Sequence, residues 1–197
     1  MLHKVLLLAL LSFLLPAMPL GMGAATFAFE GWIGEGRPVF TAEQPVKSRL
    51  YLEHSTGSEA AGVCTLNPGG KLTFRSSFVV TTRPLMIVVD ADLKRSVTSW
   101  GRTQSLSQLQ YYKEGRKKTL SFAAGSSVEM LMYRAEGACL FRSKGEVFQA
   151  NCFDFQNLKS TEGVASEWWL QVKCGQDSGW ILMDAATLGL FKMDRSF

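Results

Sequence analysis

Histidine is nearly absent from this chain of 197 residues, which contains only two. His3 lies in an apolar N-terminal stretch, so His54 alone remains for the rest of the chain. Catalytic triads and Cys–His pairs need a histidine in a cleft beside a nucleophile. His54 instead follows Glu53 in a polar segment, and we interpret it as a solvated loop residue. The count excludes a histidine-rich metal site, and we expect neither metal nor cofactor.

Catalytic signatures are also missing. The sequence contains no GxxxxGK[ST], GxGxxG, HExxH or GxSxG motif. Paired carboxylates are the remaining route to hydrolysis, and the candidate pairs are Asp90 with Asp92, and Asp154 with Glu162 or Glu167. Asp90 and Asp92 follow an apolar run, where a turn with solvated acids is the default. We therefore predict that the protein is not an enzyme, and keep a carboxylate hydrolase as a minor hypothesis.

Excess charge is small, with 21 Lys+Arg against 17 Asp+Glu and a net charge of +4. Proteins that bind nucleic acid concentrate basic residues into a strong patch. The basic clusters here, Lys47–Arg49 and Arg116–Lys118, are short. We predict no nucleic-acid partner.

A long apolar run occurs once, at the N terminus. Lys4 precedes the run Val5–Leu15, prolines follow it, and small residues occupy the positions up to Ala25. This is the three-part pattern of a secretory signal peptide. A transmembrane anchor needs about 20 apolar residues without a helix breaker. We expect cleavage after Ala25, with Gly23 as the alternative, and a periplasmic protein without a membrane span.

The cysteines are Cys64, Cys139, Cys152 and Cys174. An even number in an oxidising compartment suggests disulfides, and four cysteines allow three pairings. Cys139 and Cys152 flank a segment that has the pattern of a hairpin turning at Lys144-Gly145, so we favour Cys139–Cys152. Cys64 and Cys174 would then be free, or would join distant parts of the chain. The absence of CxxC spacing argues against zinc.

Strand periodicity dominates from about residue 30 onward. Short alternating or β-branched runs are separated by glycine-containing turns at nearly every connection. The segment 91–119 is the least regular, and within it KEGRKK is predicted to be a charged turn. Helices long enough for a βαβ crossover are missing. These patterns predict about ten strands and an all-β sandwich or barrel.

Two segments resemble bacterial SH3-like (SH3b) domains. In residues 50–74, LYLEHSTGSEAAGVCTLNPGGKLTF, Gly62 and Leu72 occupy positions of the family's opening strand–loop–strand pattern. Residues 168–191, WWLQVKCGQDSGWILMDAATLGLF, look like the family's closing hairpin, with Gly179-Trp180 as its Gly-Trp pair. A small barrel needs large side chains to fill it, and tryptophan buries a large area.

The two segments are too far apart to be the ends of one ordinary barrel. The resemblance therefore implies two tandem SH3-like barrels after the signal peptide. The predicted division is 1–25 for the signal peptide, 26–122 for the first β domain and 123–197 for the second. A single larger β domain with one SH3-like part is the alternative.

Adjacent aromatic residues are the candidate ligand-binding residues. Trp168 and Trp169 point to opposite faces if they lie on a strand. We expect one of them in the core and the other facing solvent, a partner or the other domain. Tyr111 and Tyr112 show the same pattern, and Trp180, which we expect in the core, is the fifth candidate.

The resemblance implies a non-enzymatic exported binding or adaptor protein, since SH3b domains of exported bacterial proteins commonly bind cell-wall material or peptides. The expected partner is a cell-wall polymer or an envelope protein or peptide. The alternative is a periplasmic inhibitor or accessory subunit of an envelope enzyme. Salt-sensitive binding to wall polymer would favour the first function, and salt-insensitive binding to a single protein the second.

Overall fold

The computed structural model describes residues 27–32, 36–103, 111–134, 136–155 and 163–196. The predicted signal peptide and Glu162 lie outside these ranges. Within them most residues belong to strands, which confirms the all-β class, and no helix is long and apolar enough to cross a membrane. The elements in chain order are β1 (Phe27–Glu30), β2 (Arg37–Ala42), β3 (Val46–Tyr51), β4 (Ala60–Leu66), β5 (Lys71–Leu72), β6 (Phe74–Arg83), β7 (Leu85–Val88), β8 (Leu93–Thr103), β9 (Tyr111–Phe122), β10 (Ser127–Tyr133), β11 (Ala138–Ser143), β12 (Glu146–Asn151), a 3₁₀ turn (Cys152–Phe155), β13 (Ala165–Cys174), β14 (Asp177–Leu182), α1 (Ala185–Leu188) and β15 (Phe191–Ser196).

The described strands form three antiparallel sheets. Sheet I has the order β1-β6-β13-β14-β3-β4, sheet II has β7-β10-β11-β12-β8-β9, and sheet III has β15-β2-β5. None of the three closes into a barrel within the described ranges. The tandem barrels expected from the sequence are therefore not visible as closed sheets.

Sheets I and III combine the two ends of the described chain, whereas sheet II comes from one continuous stretch between them. In sheet I, β6 pairs with β13, which places Val79 opposite Trp168. Sheet II uses only β7 to β12. The predicted boundary between residues 122 and 123 falls between β9 and β10, two strands of sheet II. The predicted domain division therefore does not follow the sheets.

The two segments that resemble SH3b domains meet in sheet I. Residues 50–74 supply β4, and residues 168–191 supply β14 and most of β13. Trp180 pairs with Tyr51, which joins β14 to β3. A Cβ added at Gly179 would lie 2.8 Å from the Tyr51 carbonyl oxygen, so glycine allows this close approach. The Gly-Trp pair thus lies directly against the other segment.

One apolar cluster fills the space inside sheets I and III and continues onto sheet II. Phe40 lies within it, with ring centroids 5.7 Å from Trp168 and 6.0 Å from Phe191. The cluster extends to residues of sheet II such as Leu131. The buried hydroxyl of Thr81 donates a hydrogen bond to the Leu131 carbonyl at 2.7 Å. Sheets I and II therefore share both apolar packing and a buried hydrogen bond.

His54 is buried rather than solvated, so the interpretation from the sequence is wrong. It is 9% exposed and stacks on Phe78, with ring centroids 5.1 Å apart and an interplanar angle of 18°. The ring centroid of Trp180 lies 5.0 Å from that of His54. The polar residues next to His54 in sequence do not predict this location, because the His54 side chain packs against aromatic residues of sheet I that are distant in sequence.

The segment KEGRKK is also not a turn. It lies inside β9, which pairs with β8 along its length. Alternate side chains of an edge strand face solvent, so charges are tolerated there. Gly115 permits a close approach, since a Cβ would lie 2.8 Å from the Ser99 carbonyl oxygen. The register shifts between Thr98 and Trp100 at the same place.

The structure contains two disulfides, which use all four cysteines. Cys139 pairs with Cys152 across the hairpin, as predicted. Its turn residues Lys144 and Gly145 have φ values of 49° and 79°, as expected for a two-residue hairpin turn. Cys64 pairs with Cys174, 110 residues away in sequence. This second disulfide joins β4 to β13, and so links the chain segments on either side of sheet II.

Candidate functional site

The predicted aromatic candidates are mostly in the core. Trp168 is 7% exposed and Trp169 is 0% exposed, so neither of them faces solvent. Trp180 is half-buried against His54 and Phe78. Tyr111 and Tyr112 begin β9, and their side chains lie outside the described part of the structure. The rings of Trp168, Trp169 and Trp180 line none of the three clefts described below.

Both tryptophans of the adjacent pair also have local hydrogen-bond partners. Trp168 Nε1 donates to the buried Ser77 hydroxyl at 2.6 Å. Trp169 Nε1 donates to the Glu167 carboxylate at 3.0 Å. Because these rings are enclosed and their N–H groups are satisfied, we assign them to the packing of sheet I.

Three of the candidate carboxylates line one cleft of about 370 Å³. Asp92 accepts a hydrogen bond from the Ala124 backbone N–H at 2.8 Å, and Asp154 pairs with Arg95 at 3.1 Å. Asp90 lies beside them in the cleft lining. These contacts give Asp92 and Asp154 structural roles in a turn and an ion pair. Within the described ranges no group of three or more His, Cys, Asp or Glu residues is arranged to hold a metal ion.

A second concavity opens where β1 of sheet I meets sheet II, and we name it the Trp32–Arg134 groove. Its volume is about 380 Å³. The lining comes from the ends of β1 and β10, from the turn before β11 and from β12. The residues used below are Phe29, Gly31, Trp32, Arg134, Glu136 and Gln149. Aromatic, charged and amide side chains therefore converge on one opening, which is the composition of a ligand site.

Arg134 is the most constrained polar side chain of the groove. Its Cζ lies 5.3 Å from the Phe29 ring centroid and 5.0 Å from that of Trp100. Cation–π attraction favours this arrangement. Arg134 Nη1 donates to Gln149 Oε1 at 2.6 Å. The guanidinium is thus positioned by two rings and one hydrogen bond.

Tight backbone geometry presents the two aromatic residues of β1. Gly31 has φ of 149° and donates its N–H to the Ser77 carbonyl at 2.8 Å, where β1 ends. A Cβ at Gly31 would overlap the Phe29 ring. The absence of a Cβ at Gly31 therefore leaves room for the Phe29 ring, and Trp32 follows at the rim of the groove.

The opposite rim is fixed by the hairpin disulfide. The Gly137 carbonyl accepts a hydrogen bond from the Cys152 N–H at 2.7 Å, and Cys152 is bonded to Cys139. Arg134 N–H donates to the Ala138 carbonyl at 2.9 Å, which closes the turn. Because the rim is already held in place, little conformational entropy of the rim would be lost when a ligand binds.

A polar cleft of about 320 Å³ adjoins the groove. The two share the lining residues Glu136, Ala138 and Gln149. Further polar side chains of the second cleft are Ser96, Thr98, Lys117 and Asn151. Together the two openings form a continuous surface with an aromatic part and a hydrogen-bonding part.

The residues of this groove are not among the candidates predicted from the sequence. Phe29, Trp100 and Gln149 come from three different strands, Arg134 directly follows a fourth, and no local motif connects them. The available signal was weak: Trp32 follows Gly31 at a strand end, and Arg134 precedes the Glu136-Gly137 turn.

Comparisons of the chain with protein-family models, with curated proteins and with solved structures found no match.

Proposed function

We propose that the protein is an exported, non-enzymatic binding protein of the bacterial cell envelope, and that its Trp32–Arg134 groove holds cell-wall material. Two disulfides in one short chain support an oxidising compartment. The N-terminal signal pattern supports export. The protein then acts by holding its ligand, through the groove side chains, without altering it.

The convergence of side chains in the groove carries this proposal. A sugar ring offers an apolar face to an aromatic side chain, and its hydroxyl and amide groups need planar hydrogen-bonding partners. Trp32 and Phe29 supply aromatic surface, and Arg134 and Gln149 supply planar donors. The adjoining polar cleft extends the surface, which suits a polymer better than an isolated small molecule.

The SH3-like relationship forms part of the same proposal. Because residues 50–74 and 168–191 meet in sheet I, we assign both to one SH3-like unit made of sheets I and III. Sheet II is then an insertion in this unit, and the groove lies at their junction. This arrangement corresponds to the single larger β domain that the sequence left open.

The test is co-sedimentation of the exported protein with purified peptidoglycan sacculi. We expect saturable pelleting, and Trp32→Ala should weaken it by about tenfold or more, as truncation of an aromatic anchor does. Phe153→Ala is the matched control, because Phe153 is 70% exposed and lies outside the groove. Circular dichroism must show that both variants fold. Absence of pelleting at low and at moderate salt would refute the proposal.

Export has its own test. The protein recovered from the periplasm of a bacterial host should begin at Thr26, because cleavage is predicted after Ala25. N-terminal sequencing measures this directly. Retention of Met1 in the cytoplasmic fraction would contradict export.

A second candidate function is an accessory or inhibitory subunit of an envelope enzyme. Exposed apolar side chains on sheet II favour it: Met86 and Val88 of edge strand β7 are both more than half exposed. Val88 and Phe153 line the same cleft. Salt-insensitive capture of one envelope protein, lost in a Met86→Asp, Val88→Asp variant, would support this function over wall binding.

A further inference from the structure

We infer that Arg134 anchors a carboxylate group of the ligand, so that the groove selects cell-wall material by its carboxylates. This inference rests on the proposed function and adds the chemical group that the site reads. An arginine has five N–H donors in a planar fork. In Arg134 one nitrogen is engaged by Gln149, and two aromatic rings lie against the side chain.

The Arg134 fork has donors to spare. No ion pair joins Arg134 to a carboxylate among the described residues. The rings and Gln149 hold the guanidinium in one place. The Arg134 side chain would therefore lose little entropy on forming a bidentate pair with a carboxylate. The geometry is thus that of a prepared acceptor site for a planar anion.

The charge of the surface favours one negative charge over two. Arg134 is the cation of the groove, Lys117 that of the adjoining cleft, and Glu136 borders both. These three described charges leave a net charge of +1. The arginine fork fits carboxylate and phosphate alike, but a net charge of +1 matches one carboxylate better than a phosphate dianion. Glu136 would repel a more highly charged polymer.

Sacculi with and without free carboxylates provide the experiment. One portion is converted to amides with a carbodiimide and ethanolamine, and a mock-treated portion keeps its carboxylates. We expect the protein to bind mock-treated sacculi about tenfold or more tightly than amidated sacculi. Arg134→Gln should remove this difference. Arg75→Gln makes the same charge change at an exposed position outside the groove and should retain it.

Two further variants protect the result against misfolding of Arg134→Gln. Arg134→Lys keeps the charge but loses the fork, so it should bind more weakly than the native protein. Glu136→Gln removes the repelling charge at an exposed turn and should strengthen binding roughly twofold. Weaker binding of the Glu136→Gln variant to mock-treated sacculi would contradict the inference.

The outcomes separate the two proposals. Equal binding of native protein to mock-treated and amidated sacculi, or an Arg134→Gln variant that still distinguishes them, overturns the carboxylate anchor and leaves wall binding standing. No binding to either preparation refutes wall binding, and the anchor with it. The soluble stem peptides and glycan strands that an amidase releases then identify the source as competitors: inhibition by the peptides assigns the carboxylate to the peptide, and inhibition by the glycan strands assigns it to a lactyl group left free of peptide.

Discussion

The two disulfides should differ in how much they stabilise the protein, because they close loops of different length. Cys64–Cys174 spans 110 residues and Cys139–Cys152 spans 13. If a disulfide acts mainly by restricting the unfolded chain, the loop-entropy relation gives about 4.8 kcal/mol for the first and about 2.9 kcal/mol for the second at 25 °C. The expected difference is about 2 kcal/mol.

Two double variants measure this difference: Cys64→Ala with Cys174→Ala, and Cys139→Ala with Cys152→Ala. All four cysteines are buried, so lost sulfur packing is similar in both variants and largely cancels in the comparison. Urea unfolding under non-reducing conditions gives the free energy of unfolding of each. A 64/174 variant already unfolded without urea, beside a folded 139/152 variant, would agree with the expected order.

The opposite order would refute the reasoning. A 139/152 variant that loses as much free energy of unfolding as the 64/174 variant, or more, would show that native-state contacts rather than loop length set the effect. The location of Cys64–Cys174 makes the prediction structurally specific. This disulfide ties the edge strand β4 to the central strand β13 of sheet I, and the loop that it closes contains all the strands of sheet II.

Three further predictions concern single residues. Burial lowers the pKa of His54 below its ordinary 6.5, against an opposing effect of Glu53, so the neutral form is favoured in the folded state. Its contribution to stability is therefore complete above about pH 6.5 and is lost as the pH falls below that value; His54→Phe should flatten this dependence in urea unfolding, and parallel pH profiles would contradict it. Gly31→Ala should lower Tm and weaken sacculus binding, because the new Cβ would overlap Phe29; unchanged Tm and binding would refute the overlap, and Gly125→Ala, with φ of 78° and open space around it, is the control for backbone strain alone. Ser77→Ala should cost about 1–3 kcal/mol in free energy of unfolding by leaving the buried Trp168 N–H without its acceptor, and a loss as small as that of the exposed Ser178→Ala would contradict this.

The sequence predicted the strands well because strand periodicity and turn residues are local properties. The Cys139–Cys152 hairpin is the clearest example, since two strands, a Lys144-Gly145 turn and both cysteines lie within the one short stretch 138–152. The prediction of a turn at KEGRKK was wrong for a physical reason. A run of charged residues is typical of a turn, but an edge strand such as β9 also tolerates charged residues. The pairing of β6 with β13 could not be predicted from the sequence of either strand, because it depends on the core residues that the two strands bury together.

The candidate site was missed because accessible aromatic residues were sought at Trp168 and Trp169, one of which could have faced solvent, a partner or the other domain. An accessible ring in this pair requires a sheet with one solvated side. Sheet I is packed on both sides around Trp168 and Trp169, so alternation divides them between two buried faces. Accessible aromatic surface occurs instead where strand pairing stops, as at Trp32 beyond β1. Side chains just beyond a strand end need not pack against either face of the sheet. The groove is therefore lined by residues at the ends of β1 and β10 rather than by the tryptophans of β13.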